Sequence, residues 1–96
     1  MTRYVLSPRA QADVAEIWNY SAKRWNVEQA ENYLRQIKAA IEAVATQPTI
    51  GQSCDDIRPG YRRYLTGSHV LFYRPLRDGV DIVRILHTRM DLRRHL

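Results

Sequence analysis

Two turn dipeptides, Gly67-Ser68 and Asp78-Gly79, limit what this chain can fold into more than any other feature. They divide residues 57–91, IRPGYRRYLTGSHVLFYRPLRDGVDIVRILHTRMD, into three runs rich in aromatic and β-branched side chains. A two-residue connection joins antiparallel neighbours, whereas parallel strands need a crossover of a dozen or more residues. Gly in first place suits a II′ turn, and Asp-Gly is a strong hairpin signal. Residues 61–66, 69–75 and 80–87 are therefore expected to be consecutive antiparallel strands. In the first, Tyr61, Arg63 and Leu65 alternate with Arg62, Tyr64 and Thr66. In the last, the run Ile82-Val83-Arg84-Ile85-Leu86 points to burial on both sides.

The front half carries a different period. Residues 2–6 (TRYVL) form a short first strand, ended by Ser7-Pro8. Ser is a favoured N-cap, and Pro suits the first helical position, where its missing N–H would have no intrahelical partner. A helix is expected over residues 9–25, with Val14, Ile17, Trp18, Ser21, Ala22 and Trp25 on its apolar face. Arg9, Asp13, Glu16 and Lys23 then fall on the polar face. Asn26, a residue that tolerates left-handed geometry, breaks the pattern. A second helix follows over residues 27–46, striped by Ala30, Tyr33, Leu34, Ile37, Ile41 and Val44, and ends before Pro48 and Gly51. Residues 47–56 are expected to be a loop. The fold class is α+β in the order β-α-α-β-β-β, a helical hairpin packed on a mainly antiparallel sheet.

Length and charge narrow the class of function. Ninety-six residues fit one domain, residues 1–96, with a single core and no room for a large enclosed cofactor. The net charge is +5, and residues 49–96 hold nine of the fifteen basic side chains against five acidic ones. Thirteen of the fifteen are Arg, whose planar fork pairs bidentately with carboxylate or phosphate. An acidic partner is implied: nucleic acid, an enzyme bound to it, or an acidic protein segment. One cysteine, Cys54, excludes an internal disulfide and fits a reducing compartment. The opening MTRYVLSPRA has no apolar core of a signal peptide, and no apolar run reaches the ~20 residues that span a membrane. A soluble cytoplasmic protein with no membrane association is expected.

Catalytic constellations are sparse. The four glycines, at 51, 60, 67 and 79, are too scattered for a phosphate loop. His69, His87 and His95 lack metal-ligand spacing, so neither a metal nor a cofactor is expected. Cys54 precedes Asp55-Asp56, whose charge would raise a thiol pKa rather than activate a nucleophile. His87 and Arg89, at the end of the last strand, can serve proton transfer and phosphate binding, as metal-free RNA cleavage requires. The plainer reading is that His87 makes a sheet-edge hydrogen bond and Arg89 caps or pairs with Asp91. YRRY and FYR resemble base-stacking surfaces, yet also make ordinary cross-strand pairs.

Three motifs together carry a resemblance: RPGYR at 58–62, GSHVLFYR at 67–74 and ILHTRMD at 85–91, behind SPRAQADVAEIWNYSAKRW at 7–25. In this order the chain resembles the ParE toxins of the ParE/RelE superfamily, the toxin halves of bacterial type II toxin–antitoxin pairs. RelE-like members cut ribosome-bound mRNA with basic strand residues and a C-terminal Tyr. Arg62, Arg63 and Arg74 match the former, but no Tyr follows Tyr73. The resemblance thus implies the ParE branch: a non-catalytic inhibitor of DNA gyrase, neutralised by a ParD-like antitoxin, with any DNA contact indirect. The alternative is a RelE-type endoribonuclease using His87, Arg89 and Arg74. Chemistry and placement nominate Trp18, Tyr33, Ile37, Arg58, Arg62, Tyr73 and Arg74 for the antitoxin. His87, Arg89, Arg93 and Arg94 are nominated for the target.

Overall fold

The structure is a computed structural model that describes residues 3–96. A short strand β1 (Tyr4–Leu6) leads into helices α1 (Pro8–Arg24) and α2 (Val27–Thr46). Strands β2 (Gln52–Ser53), β3 (Arg62–Thr66), β4 (His69–Leu76) and β5 (Gly79–His87) follow, then a single-turn helix α3 (Leu92–His95). The five strands form one mixed sheet in the order β1-β5-β4-β3-β2. β1 runs parallel to β5 and the other neighbours are antiparallel. Thr2, the start of the expected first strand, lies outside the described residues.

Local chemistry sets the helix ends. The Ser7 hydroxyl accepts from the Ala10 N–H at 3.0 Å, with Pro8 next in line. Asn26 acts by a different route from the expected left-handed break. Its backbone is extended (φ −166°), and its side chain caps α2 by accepting from the Gln29 N–H at 2.8 Å. The β3–β4 turn places Gly67 at φ +58°, as its first position requires. The second turn falls one residue earlier than expected. Leu76 pairs with Gly79, so Arg77 and Asp78 form the loop, and Gly79 is packed so closely that a side chain would collide with the Arg3 carbonyl.

The sheet has two buried faces. Ile17, Ile37, Ile41 and Val44 of the helices pack on Leu71, Tyr73, Val80, Ile82 and Ile85. The buried positions of β5 change parity between Ile82 and Ile85. Phe72 pairs with Arg84 but Tyr73 with Ile82, leaving Val83 as an extra residue in a β-bulge. Val70, Phe72 and Leu86 are buried as well, and alternation puts them on the face away from the helices. There the Tyr61 ring stacks on Phe72 at 5.0 Å.

The bulge lies beyond the end of β1, where β5 has no strand on that side. Side chains supply the missing partners. The Ser7 hydroxyl donates to the Val83 carbonyl at 2.7 Å, and the Ile85 N–H donates to Asp13 Oδ2 at 2.9 Å. Asp13 also takes two hydrogen bonds from Arg84, from Nε and Nη2, each 2.9 Å. Asp13 is therefore buried, which corrects its placement on the polar face of α1. The buried stripe is Ala10, Asp13, Ile17 and Ser21, and Trp25 at the helix end is 48% exposed rather than part of the core. The expected loop at 47–56 contains a 3-10 turn (Pro48–Ile50) and β2, and the C-terminal segment forms α3.

Replacing Asp13 by Ala would leave an enclosed guanidinium and a strand N–H without partners. We expect Asp13→Ala to lower the unfolding free energy by about 3–5 kcal/mol. Urea denaturation checks this, and a loss under about 1 kcal/mol would show that the pair is dispensable.

Candidate interaction surface

An open groove of about 650 Å³ runs along the outer side of β3 and β4. Three segments line it: Ile50 and Ile57 from the region around β2, Leu65 and Val70 from the sheet, and Met90 and Leu92 from the C-terminal segment. Its apolar content is unusually accessible, with Ile50 37%, Leu65 68% and Met90 44% exposed. Arg63 and Arg93 bring two positive charges to the lining, matched there by Asp56 and Asp91. Arg93 meets Asp56 at 3.3 Å, but both side chains are more than 60% exposed, so the pair contributes little.

A tyrosine and an arginine hold one side of this groove in place. The Tyr73 hydroxyl donates to the Pro48 carbonyl at 2.6 Å and accepts from the Gly51 N–H at 3.0 Å. Its register partner Arg62 donates to the Gly51 carbonyl at 2.6 Å. At the far end of the sheet, the Tyr33 hydroxyl meets His69 Nδ1 at 2.6 Å and accepts from the Ser68 N–H at 3.0 Å. His69 pairs across the sheet with His87, ring centroids 5.3 Å apart. His87 Nδ1 accepts from the Arg89 N–H at 3.1 Å, a hydrogen bond in place of the pair with Asp91.

These contacts redistribute the nominated residues. Ile37 and Tyr73 are enclosed in the core, so neither side chain is available to a partner. Tyr33 and Arg62 brace turns, Trp18 is half-buried on α1, and Arg58 lies over the Tyr61 ring at 5.4 Å. Arg74 pairs with Asp81 at 3.2 Å. None of the seven lines the groove, and of the four target candidates only Arg93 does. The grouping of His87, Arg89 and Arg74 is not assembled. Arg74 lies five residues along β4 from His69, the partner of His87, which is about 17 Å of strand. Leu65 carried the missed signal: an apolar side chain at an outward position of an alternating strand.

Burial is the main cause that raises the Cys54 thiol pKa, opposed by Arg63 and reinforced by Asp56 and Asp55. The acidic neighbours alone are thus the lesser part of the explanation. Among the described residues, no group of three His, Cys, Asp or Glu is placed to hold a metal, and no helix is long and apolar enough to cross a membrane.

Two packed helices on a small mixed sheet leave an open groove on its outer side, lined by apolar side chains together with Arg63, Arg93, Asp56 and Asp91. The family model for the ParE toxin of the type II toxin–antitoxin system parDE matches residues 4–92. Toxin ParE1 of Mycobacterium tuberculosis is 54% identical over 96 residues, covering 99% of this chain and 98% of that one. Toxin ParE1 of Caulobacter vibrioides is 50% identical over 96 residues, 100% and 99% of the two chains. A chain from the chromosomal ParDE TA system of P. aeruginosa shares the fold, with a TM-score of 0.77 at 18% identity, covering 91% of this chain and 96% of that one. The chain belongs to the ParE toxin family of type II toxin–antitoxin systems.

His69, beside Tyr33 at the end of the sheet, is expected to make folding stability depend on pH. Its pKa is lowered from 6.5, first by burial, then by the His87 ring, against a smaller opposing effect of Asp13. The folded state therefore binds the proton less readily than the unfolded one. Stability should be complete above pH 6.5 and decline as pH falls from there towards the lowered value. His69→Gln, which keeps an acceptor for Tyr33, should flatten this slope in denaturation midpoints measured from pH 7.5 down to pH 5. An unchanged slope would rule His69 out as its source.

Proposed function

We propose that this toxin acts by binding DNA gyrase and that a ParD-like antitoxin silences it by filling the groove. The observation that carries the reading is the groove itself, with accessible Ile50, Leu65 and Met90, and with Arg63 and Arg93 beside them in a lining that also holds Asp56 and Asp91. That pattern fits an amphipathic segment with apolar anchors on one side and carboxylates on the other. A disordered segment that orders on binding can cover such an elongated surface.

The target-facing element is the C-terminal segment, with Arg89, Arg93 and Arg94 as its exposed cations and His87 at its root. Met90, Leu92 and Arg93 of the same segment line the groove. An antitoxin seated there would cover part of the element that reaches the target, so neutralisation needs no change of fold. Action is by binding, in keeping with the separation of Arg74 from His87 and Arg89.

Free of antitoxin, the protein should inhibit gyrase supercoiling or stabilise gyrase–DNA cleavage complexes. Unchanged supercoiling at large toxin excess would defeat the gyrase reading. Cut ribosome-bound transcripts in the same cells would favour the nuclease instead. Leu65→Glu should weaken antitoxin binding by about tenfold or more, through lost apolar burial and repulsion of an acidic segment. Arg94→Glu should instead weaken the effect on the target and leave antitoxin affinity within about threefold, as measured by titration calorimetry.

A further inference from the structure

The C-terminal segment is held by few contacts. At its root, the Thr88 N–H donates to the Ser68 carbonyl and the Met90 N–H to the His87 carbonyl, each at 2.9 Å. Further on, Asp91 caps α3 from within the segment, accepting from the Arg93 N–H at 3.0 Å. Beyond Met90, the polar contacts to the rest of the fold among the described residues are the exposed Arg93–Asp56 pair and one hydrogen bond from Arg84 Nη1 to the His95 carbonyl, 3.0 Å. The first is solvent-screened. The second comes from a guanidinium already fixed in place, because Nε and Nη2 are both committed to Asp13.

That geometry leaves Nη1 aimed at a main-chain oxygen of the last helical turn, where carbonyls lack intrahelical partners. The Arg84 side chain is only 16% exposed and its charge is paired, so its orientation is set by α1 and not by solvent. Lysine could keep the charge but has a single nitrogen, which cannot span Asp13 and His95 with a rigid fork.

We infer that Arg84 is a positioning residue for the C-terminal segment: anchored by Asp13, it holds the His95 carbonyl and thereby fixes how Arg93 and Arg94 are presented. The effect on toxicity rests on the reading of this segment as the target-facing element. The positioning itself does not.

The test is amide hydrogen exchange of the full chain, with growth arrest on induced expression as the second readout. In Arg84→Lys, amides of residues 93–96 should exchange at least about tenfold faster, while those of β4 and β5 change by less than about threefold. Growth arrest should weaken in parallel. Asp13→Asn keeps an acceptor for Ile85 but loosens the guanidinium, so it should shift the same amides in the same direction and guards against a Lys variant that folds poorly. Combining the two should add little to either alone, because both act through one contact. Unchanged exchange at 93–96 in both variants, or equal acceleration throughout the sheet, overturns the positioning role. Faster tail exchange with full growth arrest overturns the link to toxicity. A wild-type protein that arrests growth without touching gyrase removes the gyrase reading and leaves this inference standing.

Discussion

The constraint on which the rest of the structure depends is the bulge in β5 and the carboxylate that completes it. β1 pairs only as far as Ile82, so the next residues of β5 would present unpaired backbone groups at an open edge. Ser7 and Asp13 close that edge from the N-cap and second turn of α1, and so fix where the helix begins against the sheet. Asp13 also binds Arg84, whose Nη1 reaches the C-terminal segment. One carboxylate thus joins the first helix, the last strand and the final turn. A buried ion pair often contributes little net stability relative to an apolar substitute. Its contribution here is geometric, since three elements share one set of directed bonds.

The two sheet faces divide the work between stability and recognition. On the inner face, α1 and α2 cover Leu71, Tyr73, Val80, Ile82 and Ile85. On the outer face, Val70, Phe72 and Leu86 are buried, yet neighbouring Leu65 remains open. The cover there comes from short pieces, namely the region around β2 and the C-terminal segment. Short pieces leave gaps. The Tyr73 hydroxyl, anchored in the core, holds the 3-10 turn through Pro48 and Gly51. The groove edge is therefore built from the stable side of the sheet, although its lining belongs to the exposed side.

Much of the architecture was legible because it rests on local chemistry. Ser7-Pro8, the helical stripe of α2 and the Gly67-Ser68 turn each specify their element without distant partners. Asp13 was misplaced because a carboxylate at a helical position is normally solvated, and its partner lies 71 residues away. The buried side of α1 keeps Ile17 and Ser21 of the expected stripe but turns towards Ala10 and Asp13 and leaves Trp25 outside. Tyr73, nominated for antitoxin contact, is buried instead, because alternation cannot tell which face of a strand is covered. The bulge at Val83 leaves no compositional mark, so the change of parity along β5 had to come from the structure. Of the groove, the alternation of β3 puts Leu65 on the same side as Arg63, but only the structure shows that this side is open. Ile50, Ile57 and Met90 became neighbours only through folding.

In the proposed complex with an antitoxin, the apolar and charged parts of the groove would serve different steps of recognition. Burying Leu65, Ile50 and Met90 against a partner removes accessible apolar surface from water, and that sets how slowly the partner leaves. Arg63 and Arg93, with the wider positive charge of the C-terminal half, act earlier by drawing an acidic chain towards the groove. The Arg93–Asp56 pair is weak enough for a carboxylate from outside to replace Asp56 at small cost. Exchange of one exposed ion pair for another lets the C-terminal segment pass from free to covered while Arg84 keeps it docked on the sheet. On that proposal, capture of the toxin would be a matter of surface complementarity, and release would restore a segment already in position.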